Sequence, residues 1–266
     1  MSHSGVAFRK EPEQLQEHVL ATYFNLRIGI AVVGIALPLV LWIIGYLYAQ
    51  LCLQHSISAY YHAVGPTGHT MRDWFVGSLF MVGISLLLYK GFSTLENTLL
   101  NVGGVLAVLV ALVPMRWQAC DLAVCGAAPS SCKGSGWSPH GIFAVGFFLC
   151  IAAVSFFCAD DTLPLIKDAH LPNAEQLIAR YKGTYRMLAV LMVATIAVAY
   201  FLNVTGKSPS TVFWVEVAGI WSFAAYWLVK SHELSKTAAE SRAVQGGLTR
   251  HHGHVRDRAV LQQELQ

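Results

Sequence analysis

Residues 28–49 read IGIAVVGIALPLVLWIIGYLYA, 22 residues without one charged side chain. As a helix rising 1.5 Å per residue this run covers about 33 Å, slightly more than the ~30 Å hydrocarbon core of a bilayer. A mostly polar stretch containing Glu11, Glu13 and Glu17 precedes it. A cleaved signal peptide has a basic start and a shorter apolar core, so this run is expected to persist as a helix. Pro38 lies inside it and predicts a kink, tolerable where neighbouring helices satisfy the freed carbonyl.

Five more apolar runs follow, at residues 74–89, 99–114, 141–159, 187–204 and 212–229. They are continuous rather than alternating, which excludes barrel strands and leaves helices as the form that satisfies every backbone group in lipid. The expected fold is all-α, a polytopic membrane bundle of six transmembrane helices. It comprises an N-terminal segment 1–27, a helical domain 28–230 with a Cys-containing loop 115–139, and a tail 231–266. Composition agrees: 55% of the 266 residues are hydrophobic, 12% are charged, and mean hydropathy is +0.50. A soluble domain carries about 25% charged residues, so a cytosolic enzyme and a disordered chain are both excluded. Six cysteines are too sparse for a disulfide-built miniprotein, and a net charge of +3 is too small to suggest nucleic acid.

Six spans put both termini on one side. On that side fall fourteen Lys and Arg, including Arg27, Lys90, Lys182, Lys230 and Arg256, against four on the other: Arg72, Arg116, Lys133 and Lys207. The positive-inside rule then makes the termini cytoplasmic and the protein a multi-pass component of the cell (inner) membrane. Residues 173–182 are too short and polar to span. They predict a helix lying along the cytoplasmic face with Leu177, Ile178 and Tyr181 on its apolar side. The nearly neutral tail predicts a solvated segment, helical at its end. Gly77, Gly83, Gly103 and Gly104, with Ala218, Ser222 and Ala225, are the positions at which helix backbones are expected to approach closely.

This orientation gathers the unexplained polar residues on the outer face. Glu216 lies about 6 Å inside the last helix, where an unpaired carboxylate is costly. It is expected either to pair with Arg72, Arg116 or Lys207, or to serve a ligand, metal or proton. Asp73 has the residue type and place of a helix N-cap. His140 follows Ser138 and Pro139 and suits either an interfacial hydrogen bond to a loop carbonyl or a ligand site. Ser58, Tyr61, Arg72, Asp73, His140 and Glu216 form the candidate ligand-binding pocket. Zinc takes His nitrogens and carboxylate oxygens and acidifies a bound water, which makes His62, His140, Asp73 and Glu216 the candidate metal ligands. No His or Cys pair at ligand spacing demands one. Cys52, Cys120, Cys125 and Cys132 are disulfide candidates if this side is oxidising, while Cys150 and Cys158 read as packing residues. No P-loop, dinucleotide fingerprint or nucleophile elbow occurs.

Ser56-Ile57-Ser58-Ala59-Tyr60-Tyr61-His62, Met71-Arg72-Asp73-Trp74-Phe75-Val76-Gly77 and Tyr89-Lys90-Gly91 resemble a family of uncharacterised bacterial integral membrane proteins. The likeness continues through Val110-Ala111-Leu112-Val113-Pro114, His140, Phe213-Trp214-Val215-Glu216 and Trp227-Leu228-Val229-Lys230. It implies a small polytopic membrane protein and names no activity. More distantly, Ser58-x-x-x-His62 followed by Asp73 is similar to the early motifs of the superfamily joining alkaline ceramidases with the progestin and adipoQ receptors. That resemblance implies a zinc-dependent membrane hydrolase of seven helices with paired histidines in the last, where this chain offers Glu216.

Three functions remain open at this point. The first is a non-enzymatic membrane protein whose outer pocket binds a lipid, ion or small ligand, favoured because no catalytic set is complete. The second is a zinc-dependent hydrolase of lipid amides or esters at the outer leaflet. The third is a proton-coupled transporter that uses Glu216 as its carrier.

Overall fold

The computed structural model describes residues 12–115, 138–205, 209–251 and 253–264. Six long helices dominate it: α1 (Pro12–Leu39), α2 (Arg72–Leu88), α3 (Thr94–Leu112), α4 (Pro139–Ala153), α5 (Ala174–Thr205) and α6 (Pro209–Thr237). Five helical stretches are long and apolar enough to cross a membrane: Glu17–Ala49, Thr94–Leu112, Pro139–Asp168, Ala174–Leu202 and Thr211–Thr237. α2 has 17 residues, about 25 Å of helix, and lies in the bundle between α1 and α3. Each helix packs on its neighbours in sequence, and α6 closes the ring on α1. Large apolar side chains such as Leu47, Leu88, Phe157 and Phe201 point outward and are exposed, as a lipid-facing surface requires.

Helix starts are set by local chemistry. Ser93 is extended and its hydroxyl accepts the Glu96 N–H at 3.2 Å, while the Glu96 carboxylate accepts the Phe92 N–H at 2.7 Å. This is a near relative of the capping box. Ser138 likewise accepts the Gly141 N–H at 3.1 Å, with Pro139 in the first turn of α4. The kink expected at Pro38 takes the form of a π-turn over Val40–Ile44, after which Gly45–Ala49 resumes the α-helix. A second π-turn, Val154–Cys158, ends the long run of α4. Helix packing is tightest where α2 crosses α3. A Cβ on Gly83 would lie 2.8 Å from the Gly104 carbonyl oxygen, and one on Gly104 2.7 Å from that of Gly83.

Residues 50–71 fold inward. Leu51, Ile57, Ala59, Tyr60, Ala63 and Met71 are all buried, so this apparently polar loop caps the end of the bundle at which α1 passes to α2. Gly65 closes it against α1: a Cβ there would sit 1.6 Å from the Ala49 carbonyl oxygen.

Two expectations are corrected. Residues 173–182 are not a separate surface helix. They are the first turns of α5, which runs unbroken through Met187, and Leu177, Ile178 and Tyr181 pack into the core rather than onto a membrane surface. No Pro lies between Lys182 and Met187, so nothing stops the helix there. The tail, although many of its residues are exposed and its end is helical as expected, is folded along its length rather than a loose solvated segment. α6 continues to Thr237, and the chain then forms α7 (Ala239–Val244), an antiparallel hairpin of β1 (Leu248–His251) and β2 (His254–Asp257), and α8 (Arg258–Glu264). Val255 joins Leu165, Leu234 and Ala239 in a small core that fastens the hairpin to the end of the bundle where α6 finishes.

Candidate functional site

In the half of the bundle capped by residues 50–71, α1, α2, α3, α4 and α6 surround a cavity of about 120 Å³. Its wall is apolar, including Leu37, Phe75, Ala107, Phe147, Ile220 and Phe223, except where Ser58 and Glu216 face it. Ser58 opens a 3₁₀ turn, Ser58–Tyr61, within the inward loop. Glu216 reaches this loop from α6 and accepts the Ile57 N–H at 2.6 Å. Its expected pairing with Arg72 does not occur. The Arg72 guanidinium instead donates to the Tyr61 carbonyl at 2.9 Å and lies over the Tyr61 ring at 4.7 Å. Arg116 and Lys207, the other expected partners, lie outside the described residues.

His140 stands at the start of α4 and is 5% exposed. Its Nδ1 is 2.7 Å from the Val113 carbonyl oxygen, and its Nε2 is 2.9 Å from Ser58 Oγ. The expected bond to a loop carbonyl is therefore present, and the ring's second nitrogen faces the cavity serine. His62 turns elsewhere, with Nε2 2.7 Å from the Met115 carbonyl oxygen. Asp73 does not cap α2: Met71 holds that position, and Asp73 lies exposed in the first turn. Beside the site, burial pushes the Tyr60 phenol up to about 12, keeping it neutral at ordinary pH.

Of the six expected pocket residues, Ser58 and Glu216 thus line the cavity and His140 meets it through Ser58, while Tyr61, Arg72 and Asp73 are not in its wall. The proposed zinc ligands do not assemble. Among the described residues no group of three His, Cys, Asp or Glu side chains could hold a metal ion. Both ring nitrogens of His140 are engaged, and Glu216 is turned to Ile57. The donor set therefore does not fit zinc. The disulfide candidates Cys120, Cys125 and Cys132 lie outside the described residues, and Cys150 and Cys158 are free thiols.

A second polar cluster, near the C-terminal end of α6, has no counterpart in the sequence expectations. Lys230 Nζ donates to Glu233 at 3.0 Å, to the Thr162 hydroxyl at 2.6 Å and to the Ala159 carbonyl at 3.3 Å. Glu233 also accepts from the Tyr185 and Thr162 hydroxyls, each at 2.5 Å. All four side chains are buried. Nearby, the buried Arg27 pairs with Glu240 and donates to Ser231 at 3.1 Å. The only sequence sign of this cluster was Lys and Glu three residues apart at a helix end, a spacing common on solvated surfaces. No family model, no curated protein and no solved structure matches this chain.

Proposed function

We propose that this is a multi-pass membrane protein that binds a long-chain amphiphile in its outer cavity. The observation that carries this is an apolar cavity with two polar groups, Ser58 and Glu216, at its outer end. An apolar cavity of about 150 Å³ stays dry and takes up a benzene-sized molecule. One of about 120 Å³ therefore suits the few carbons next to a polar head, with the rest of the chain left in the bilayer. The head group would hydrogen-bond to Ser58 and Glu216.

The six-span topology, with cytoplasmic termini in the inner membrane, is part of this proposal. It is supported by the five long apolar helices, by the place of α2 in the ring, and by the distribution of basic residues.

A direct test uses a monoacylglycerol analogue with a diazirine near its carbonyl, added to the protein in phosphatidylcholine nanodiscs. Cross-links should map to Phe147, Ile220 and Phe223, and Ala107→Phe, which fills the cavity, should remove them. Cross-links confined to outward-facing residues such as Leu88 and Phe157, and unchanged in Ala107→Phe, would overturn the reading.

A further inference from the structure

A carbonyl oxygen only accepts hydrogen bonds, so a neutral His140 ring facing Val113 at 2.7 Å carries its hydrogen on Nδ1. The lone pair on Nε2 then faces Ser58 Oγ at 2.9 Å, and the hydroxyl donates to it. A serine donating to an imidazole whose other nitrogen is fixed by an acceptor is the arrangement that activates an oxygen nucleophile. In Ser-His-Asp sites the fixing group is a carboxylate; here it is a main-chain carbonyl. Two further facts turn this from a loop tie into a site. Ser58 lies in the wall of the apolar cavity, and His140 is held by the first turn of a long helix rather than by a loop.

We infer that Ser58 and His140 form an acyl-transfer dyad whose substrate is a long-chain carboxylic ester, with the carbons next to its carbonyl seated in the cavity and the rest of the chain in the bilayer. This rests on the amphiphile-binding proposal and gives it a chemistry. Ser58 Oγ bonds to the ester carbonyl carbon while its proton passes to His140 Nε2. Collapse of the tetrahedral adduct breaks the bond to the alcohol oxygen, and Nε2–H returns the proton to that leaving group. Water, deprotonated in turn by Nε2, attacks the acyl-Ser58 ester. The fatty acid departs, and Oγ recovers its proton from the imidazolium.

The test is labelling by a long-chain alkyl fluorophosphonate, which forms an Oγ–P bond with loss of fluoride at activated serines. With the full chain in phosphatidylcholine nanodiscs, peptide mass mapping should find an adduct on Ser58 and none on the neighbouring Ser56. It should be absent in Ser58→Ala and in heat-denatured protein, and His140→Gln should slow its formation by about 100-fold or more. The diazirine cross-linking described above, run on Ser58→Ala, reports on the cavity separately. No adduct on Ser58 with cross-linking intact overturns the dyad and leaves amphiphile binding standing, whereas loss of cavity cross-linking in the wild type overturns both. Labelling of Ser58 at an unchanged rate in His140→Gln removes His140 as the base and also overturns the dyad.

Discussion

Lys230 and Glu233 are 1% and 0% exposed, and each is held by groups that no surface pair would have: a carbonyl, two hydroxyls and one another. Removing one member of a buried pair leaves the other charge uncompensated, at about 3–5 kcal/mol. Lys230→Met should therefore lower thermal stability in detergent sharply, and Lys230→Met with Glu233→Gln should recover part of the loss. Equal stability of the two variants would mean that Glu233 is compensated elsewhere. Glu216 shows what a sequence does and does not reveal about such residues. Its oddity is readable, as a lone acid in an apolar helix, but its partner is the Ile57 amide. Every residue but proline carries that donor, so no residue type signals it, and the sequence could name Arg72 as a partner but not this amide. His140 was readable only as an alternative between carbonyl and ligand, because the serine that meets its second nitrogen lies 82 residues earlier in the chain.

Helices were readable from apolar runs, but their ends were not. The runs at 28–49, 187–204 and 212–229 stop where charge begins, whereas α1, α5 and α6 continue over charged residues into turns stabilised by buried ion pairs and the docked hairpin. Hydropathy measures the part of a helix in lipid; backbone hydrogen bonding and tertiary packing decide how far it extends. Close approach was legible more unevenly. Gly83 and Gly104 do bring two backbones together, while a Cβ on Gly77 would meet nothing within 4 Å, because that position faces away from every other helix. Gly83→Val should thus cost about 1–3 kcal/mol by overpacking the crossing of α2 and α3, and Gly77→Ala should leave the melting temperature unchanged or slightly raised. Melting curves of the two variants in the same detergent check this. A neutral Gly83→Val would mean that α2 can move away from α3 without loss.

Over the whole molecule, the few charges are sorted by pairing as well as by side. The positive-inside argument treats the inner basic residues as free cations, yet Lys182 and Arg186 meet Asp160, Arg250 meets Asp161 and Arg256 meets Asp168. Two of these pairs, Arg250–Asp161 and Arg256–Asp168, join the C-terminal hairpin to the segment after α4, a part of the fold invisible in the sequence because its partners are some 90 residues apart. Asp168 is its anchor: 4% exposed, it accepts from Arg256 Nε at 3.0 Å and from the Asp257 N–H at 2.8 Å. A buried carboxylate with these donors fixes the hairpin more firmly than the exposed Lys167–Glu175 contact fixes anything. Arg256→Ala leaves that carboxylate short of its cation and should free the hairpin, so trypsin should cut after Arg250 and Arg258 much faster than in the wild type. The same digestion, run on sealed vesicles of each orientation, reads topology: cleavage of Arg256→Ala should occur only when the cytoplasmic face is outward. Fast cleavage from the other face would reverse the orientation, and with it the claim that Ser58, His140 and Glu216 face the outer side. Equal cleavage rates in variant and wild type would show that the hairpin is held by the Val255 core rather than by Asp168.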